Sequence, residues 1–306
     1  MSQLLPALQQ WQQQGHYFEW QQQRIFYGEQ GSGPALVLIH GFPSASWDWQ
    51  YLLPTLAQHF RVIYFDLLGF GYSDKPTHGY HMAQQADLTE ALCAHLGVKQ
   101  AHLLAHDYGD TVAQELLARQ QHHRQQVQWL SCALLNGGLF PESHRPLLIQ
   151  RLLASPMGPL LGRFFSQRSF NRNLRQIWGN TPPSQPELEG LWQLLLVNNG
   201  RAAIPYLIRY MKERIIHRDR WLGALVNADI PLLLINGIED PISGRSLVER
   251  YQALMPDRPV IKLQGVGHYP QLEAPQRVLQ QLLPFWQQSL HHHLAANNLK
   301  RGRATH

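Results

Sequence analysis

The strongest constraint on this chain is a rhythm. Short apolar runs at Ala35–Ile39, Arg61–Asp66, Ala101–Ala105, Val127–Asn136, Pro231–Asn236 and Pro259–Leu263 recur along it, and helical patterns near 46–58, 82–97, 109–121, 243–255 and 274–289 lie between most of them. The runs are apolar throughout rather than alternating, so both faces of each strand need covering. That is the signature of an α/β fold with a mostly parallel central sheet and helices on both faces. Before the rhythm begins, His16–Gly28 alternates like a hairpin, and GEQGSGP at 28–34 reads as a turn. The rhythm breaks once, between Asn136 and Pro231, in a helical, Arg-rich stretch interrupted by TPPSQPELEG at 181–190. Residues 139–222 are therefore predicted to be a helical cap inserted into a core formed by 16–138 and 223–290, with 291–306 a disordered basic tail.

Composition narrows the class. With 44% hydrophobic and 15% charged residues in 306, the chain can bury a large core and is not disordered. Cys93 and Cys132 both sit in apolar runs, which predicts buried thiols rather than a disulfide framework. No run approaches the ~18 apolar residues of a spanning helix, and MSQLLPALQQWQQQG lacks the layout of a signal peptide, so a soluble cytoplasmic protein is expected. The net charge of +5 is unevenly spread: residues 139–222 carry +7, the last 16 residues +3, and the remainder −5. The cap arginines are scattered among Leu, Phe and Trp, which argues against a nucleic-acid partner. A solvated basic face accounts for them, and a weak association with anionic membrane is the next reading. The tail histidines are too few and isolated for a metal site, and no cofactor is expected.

Chemistry gathers at three strand ends. The run ending at Ala105 continues as His106-Asp107-Tyr108-Gly109 and then a helical pattern. A strand turning sharply into a helix exposes the turn residue at the C-terminal edge of the sheet, and the small residues Ala105 and Gly109 suit that turn. Asp107 occupies the place of a nucleophile. Strand 35–39 runs into His40-Gly41-Phe42-Pro43, which can aim backbone N–H groups into a site, and strand 61–66 runs into DLLGFGYSDKP. In an open α/β sheet this edge is where ligands bind.

Together, HGFP at 40–43, D-x-x-G-x-G-x-S at 66–73 and the HDYG turn resemble the α/β-hydrolase superfamily. The aspartate resembles the epoxide hydrolase and haloalkane dehalogenase branch, and NGGLFPESHRPLL is similar to the mesoderm-specific transcript family with its bacterial relatives. The resemblance covers about residues 16–288. It implies that the G-I-E-D-P turn after strand 231–236 supplies the catalytic acid, Asp240 with Glu239 as the neighbouring alternative, and that His268 in GVGHYP is the base. It also implies an oxyanion hole made by the backbone N–H groups of Phe42 and Tyr108.

An ionised carboxylate can displace a leaving group at a saturated carbon, giving an alkyl–enzyme ester. A histidine held by Asp240 would then activate water to cleave it. The expected partners are a small, mainly apolar organic substrate and water. Epoxide hydrolases use cap tyrosines as proton donors, and Tyr206 and Tyr210 are the candidates here. A dehalogenase is the runner-up, for which Trp178 or Trp192 would have to hold the halide; a fluoroacetate-type site is disfavoured by Tyr108 and Thr111. A weakly catalytic or membrane-associated ligand- or lipid-binding protein is the alternative from another class. Asp110 is read as a first-turn carboxylate favourable to its helix, close enough to raise the pKa of Asp107.

Overall fold

Eight strands form one sheet in a computed structural model that describes residues 4–76 and 79–288. They are β1 (His16–Trp20), β2 (Gln23–Gln30), β3 (Ala35–Ile39), β4 (Arg61–Phe65), β5 (Gln100–His106), β6 (Gln128–Leu135), β7 (Leu232–Gly237) and β8 (Val260–Leu263). Their order is β1-β2-β4-β3-β5-β6-β7-β8, with β1–β2 and β2–β4 antiparallel and every later pairing parallel. All six apolar runs became strands, and β3, β5, β6 and β7 are buried along nearly their whole length. Burial on both faces is the reason their sequences do not alternate. The hairpin formed as expected, although β2 runs on to Gln30, so the turn begins three residues later than its composition suggests.

The helices that follow the parallel strands cover the sheet. Helices Met82–His95 and Arg218–Val226 both pack on Tyr108–Gln121. Elsewhere the chain from 275 to 288 brings Trp286 against Phe60 at 5.2 Å, and Phe60 in turn lies 5.9 Å from His102 of β5. Cys93 and Cys132 are buried and unbridged.

Two boundaries differ from expectation. Helix Pro6–Gln14, ahead of residue 16, buries Leu8 and Trp11, and Leu5 N–H donates to Gln193 Oε1 at 2.9 Å, so the N-terminal helix is packed into the body. Its Trp11 ring, 4.6 Å from Tyr64, supplies the apolar contact that its glutamine-rich sequence conceals. Helix Arg218–Val226 begins inside 139–222 yet packs on the sheet-covering helix Tyr108–Gln121, with Trp221 Nε1–H donating to Glu115 at 2.9 Å. Between Leu148 and Ile216 the chain is helical, as the pattern predicts. The tail at 291–306 lies outside the described residues.

Candidate active site

The parallel strands all end on the same edge, and the residues singled out in the sequence follow those ends. Asp107 stands between β5 and helix Tyr108–Gln121 with φ 46° and ψ −101°. This is a conformation that costs an L-residue about 1–3 kcal/mol and is held only when its surroundings over-determine it. The surroundings do so by close approach. A Cβ at Gly109 would lie 2.2 Å from Ile39 O, so only glycine lets the helix start this near β3.

Asp107 is buried and its carboxylate has three neighbours. Phe42 N–H donates to Oδ2 at 3.1 Å, His268 Nε2 lies 4.0 Å from the same oxygen, and Arg214 Nη2 lies 3.5 Å from Oδ1. Burial alone would raise its pKa, but the positive charges of His268 and Arg214, with the Phe42 N–H, bring it below the ordinary carboxylate value.

His268 Nδ1–H donates to Asp240 Oδ2 at 2.7 Å, which leaves Nε2 turned toward Asp107. Burial lowers the imidazole pKa, but the charge and hydrogen bond of Asp240, helped by Asp107, outweigh it and lift the value to about 9. Asp240 is itself fixed by Ile242 N–H at 2.8 Å, Ser243 Oγ–H at 2.7 Å and Asn136 Nδ2–H at 3.1 Å. Glu239, the neighbouring alternative, faces Arg245 at 3.4 Å and is well exposed. The geometry thus brings together Asp107, Asp240, His268 and Phe42, while Tyr108 occupies the first turn of its helix, where a backbone N–H has no intrahelical partner.

The loops are tied by polar groups with specific tasks. His40 donates from Nδ1 to Gly41 O at 2.8 Å and accepts Leu67 N–H on Nε2 at 3.0 Å, joining the ends of β3 and β4. Asp66 accepts Ser46 N–H and Tyr72 N–H at 2.8 and 2.6 Å, and a Cβ at Gly71 would sit 2.1 Å from its Oδ2. His268 N–H donates to Ile177 O at 2.8 Å, and Glu273 accepts from Gly179, Gly267 and Tyr269 N–H groups at 2.7–2.9 Å. The helices of the interval are thereby stitched to the histidine loop.

An apolar pocket opens beside His268 and Phe42. Its walls come from the core residues Pro43 and Ile242 and from Leu147, Leu153, Phe165, Leu174, Ile177 and Ile204 of the inserted helices. Tyr206 is not among them; its ring lies under the Arg209 guanidinium at 5.2 Å. Tyr210 is fully buried, 5.8 Å from the Phe42 ring and 4.4 Å below the Arg214 guanidinium, and its hydroxyl makes no hydrogen bond of normal geometry. Burial and the nearby Asp107 charge push that phenol upward, so it is neutral. Trp178 stacks on Tyr269 and Trp192 packs on Phe170; neither lines the pocket.

These positions place the chain. The α/β-hydrolase fold family matches residues 34–275. The chain belongs to that family. This hydrolase is 42% identical over 297 residues to the mesoderm-specific transcript homolog protein of Homo sapiens, covering 92% of this chain and 89% of the relative. It is 36% identical over 273 residues to the putative hydrolase LipZ of Mycobacterium tuberculosis, covering 88% and 94%. A stretch of 90 residues, 29% of this chain and 32% of the relative, is 40% identical to a soluble epoxide hydrolase of Corynebacterium. The structure of a haloalkane dehalogenase DbeA variant from Bradyrhizobium elkanii superposes with a TM-score of 0.77 at 20% identity, covering 92% of this hydrolase and 99% of that chain, a likeness of fold.

Two features of this hydrolase escaped the sequence reading. Arg214 is 2% exposed, donates from Nε to Thr111 Oγ1 at 2.8 Å and from Nη2 to Asp107 O at 3.0 Å. Only its helical i, i+4 spacing from Tyr210 was available as a signal. Asn136 adopts φ 36° and clamps Gly237 by donating to its oxygen at 2.9 Å and accepting its N–H at 2.6 Å. The Asn-Gly-Gly after β6 was the legible cue. Asp110 corrects an expectation: its side chain makes no hydrogen bond of normal geometry, and it is the member of the pair that is raised. Burial, then the charge of Asp107, push Asp110 well above the ordinary carboxylate value, whereas at Asp107 the cations outweigh burial.

Proposed function

We propose that the protein hydrolyses small apolar epoxides through an ester on Asp107. The observation that carries this reading is the carboxylate itself: one oxygen accepts the Phe42 N–H, the other faces Arg214 at 3.5 Å without a hydrogen bond and is the one to attack, and a histidine held by a second carboxylate stands 4.0 Å away. Asp107 Oδ1 forms a bond to a ring carbon while the C–O bond breaks and its electron pair goes to the epoxide oxygen. Tyr210, neutral and with no hydrogen bond of normal geometry, supplies the proton to that oxygen. Neither cap tyrosine is among the pocket-lining residues, but Tyr210 packs beside Phe42 and Tyr108 at the nucleophile whereas Tyr206 lies under Arg209, so the role is assigned to Tyr210.

The ester is then cleaved. His268 Nε2 takes a proton from water, whose oxygen attacks the ester carbonyl; two atoms 4.0 Å apart can both contact one water oxygen. The N–H groups of Phe42 and Tyr108 hold the oxyanion, each such donor being worth about 3 kcal/mol in a transition state. The intermediate then collapses: the C–O bond to the substrate breaks, the leaving oxygen takes the proton from His268, and the proton of the regenerated Asp107 carboxyl returns to the Tyr210 phenolate, so that the diol leaves with Asp107, His268 and Tyr210 restored. Helices 148–216 serve as the cap that shapes the pocket, and the kinship with a soluble epoxide hydrolase sequence supports the same reading.

Single turnover with excess enzyme in heavy-oxygen water tests it. The label is expected in the Asp107 peptide and not in the first diol formed. Label in the diol with an unlabelled Asp107 would mean direct attack by water and would overturn the ester. A parallel set of haloalkanes that labels Asp107 while every epoxide is inert would replace epoxide opening with dehalogenation.

A further inference from the structure

The cap carries an outward face that the proposed chemistry does not use. Among the described residues, large apolar side chains left exposed concentrate on two consecutive helices that pack on each other, Leu148–Leu153 and Gly158–Arg163. Leu148 is 73% exposed and Leu152 43%, an i, i+4 stripe; Met157 (56%), Leu160 (49%) and Phe164 (77%) follow at i, i+3, i+7. Two adjoining stripes of this kind are costly in water and mark a surface that is covered in use.

Charge says by what. Residues 139–222 hold five carboxylates, and each is already engaged: Glu142 by Arg218 and Arg250, Asp219 by Arg218, Glu213 by His81 and Met82 N–H, Glu187 by Tyr51 and Ser184 N–H, and Glu189 by Gln167 and Gln193. Exposed Arg151, Arg168, Arg172, Arg175, Arg209 and Lys212 make no ion pair among the described residues. Of these, Arg151 lies on the helix of the first stripe, and Arg209 and Lys212 line one cavity with Ala154, Ser155, Pro156 and Pro159 between the stripes. Apolar stripes with such cations beside them suit the headgroup region of an anionic bilayer, where a helix buries its apolar face and each cation adds attraction.

We propose that the outer face of helices Leu148–Leu153 and Gly158–Arg163 docks on anionic lipid membrane. The inner face of the first helix, through Ile149, Gln150 and Leu153, lines the pocket beside His268. A docked bilayer would therefore lie about one helix diameter, ~10 Å, from the pocket. Resting on the reading above that the pocket takes apolar substrates, the docking would supply substrates dissolved in the lipid.

Flotation of the full chain with phosphatidylcholine vesicles, with and without phosphatidylglycerol, tests the surface independently of any reaction. Binding is expected only with phosphatidylglycerol, falling as salt rises. In L148E/L152E/F164E it should drop about a hundredfold, while the near-ultraviolet circular dichroism and melting temperature stay those of the unaltered protein. R151Q/R209Q/K212Q, which leaves the stripes intact, should also weaken it and flatten the salt dependence. Absence of flotation, equal flotation on both vesicles, or undiminished binding by the folded triple-glutamate variant would each overturn the proposal. Recovery of an acidic protein, but no vesicle, by the same face would do so as well. Loss of epoxide turnover with docking intact would count against the chemistry alone.

Discussion

At Asp107 burial and charge pull in opposite directions, and the balance sets the pH behaviour of the site. Burial would protonate it; His268, Arg214 and Phe42 N–H keep it ionised, and it in turn helps hold His268 at about 9. In the proposed ester Asp107 is neutral and its share of that support is gone, so the imidazole pKa falls and more of it is unprotonated and able to take a proton from water. Replacing Asp107 by Asn mimics the loss: the His268 titration, followed by NMR, is expected below that of the unaltered protein, and an unchanged value would contradict the coupling. The linked stability has the opposite sense to a carboxylate's. His268 is raised from 6.5, so its interactions stabilise the fold fully below about pH 6.5 and are lost as pH rises through about 9. The excess melting temperature over H268Q should shrink over that window.

Arg214 belongs to the same scale as a positioning residue. Its removal in R214M leaves Asp107 buried with one cation fewer, and breaking a buried pair costs about 3–5 kcal/mol. The acid limb of the ester-forming step should move to higher pH, because Arg214 helps hold the carboxylate down. R214K should restore part of the stability and part of the shift. A pH profile that is unmoved in R214M, with only stability lost, would reduce Arg214 to packing.

Among elements, the strand-to-helix turn shows what was legible in the chain and what was not. Uninterrupted apolar runs announced the strands, because a strand buried on both faces leaves no polar register. Asp107 and His268 were readable from small neighbours at strand ends, where the backbone must pass close to another: Gly109 against Ile39 O, and Gly267, whose Cβ would lie 2.4 Å from Ile177 O. Arg214 and Tyr210 were harder. They sit on helix Tyr210–Ile216, whose placement over Asp107 depends on packing across more than a hundred residues, and helical spacing says nothing of that. For the same reason Tyr206 and Tyr210 looked alike until packing separated them.

The contrast between glycines gives an element-level prediction. G109A forces a methyl onto backbone and should cost about 1–3 kcal/mol in urea denaturation. G223A, in helix Arg218–Val226 with its nearest neighbour at 3.8 Å, should instead stabilise by about 0.5–1 kcal/mol. Equal costs at the two positions would mean that the close approach of β5 and β3 does not govern the turn.

Over the whole molecule, the insertion divides labour. The sheet edge holds Asp107, Asp240 and His268, whereas helices between β6 and β7 supply Arg214 and most of the apolar pocket and return to the core through Ile177 O and Glu273. The charge is divided likewise, +7 on residues 139–222 against −5 on the remainder ahead of the last 16 residues. No helix among the described residues is long and apolar enough to cross a membrane. The proposed reaction makes two different demands on these groups, an ionised carboxylate in the first step and an unprotonated imidazole in the second. Separating those steps is therefore the most direct test. The intact mass of H268Q should be followed during incubation with epoxides and haloalkanes, with D107N/H268Q as control. The account predicts an adduct of the full epoxide mass, mapped to the Asp107 peptide and absent from the control. An adduct that persists in the control, or that maps elsewhere, would contradict it.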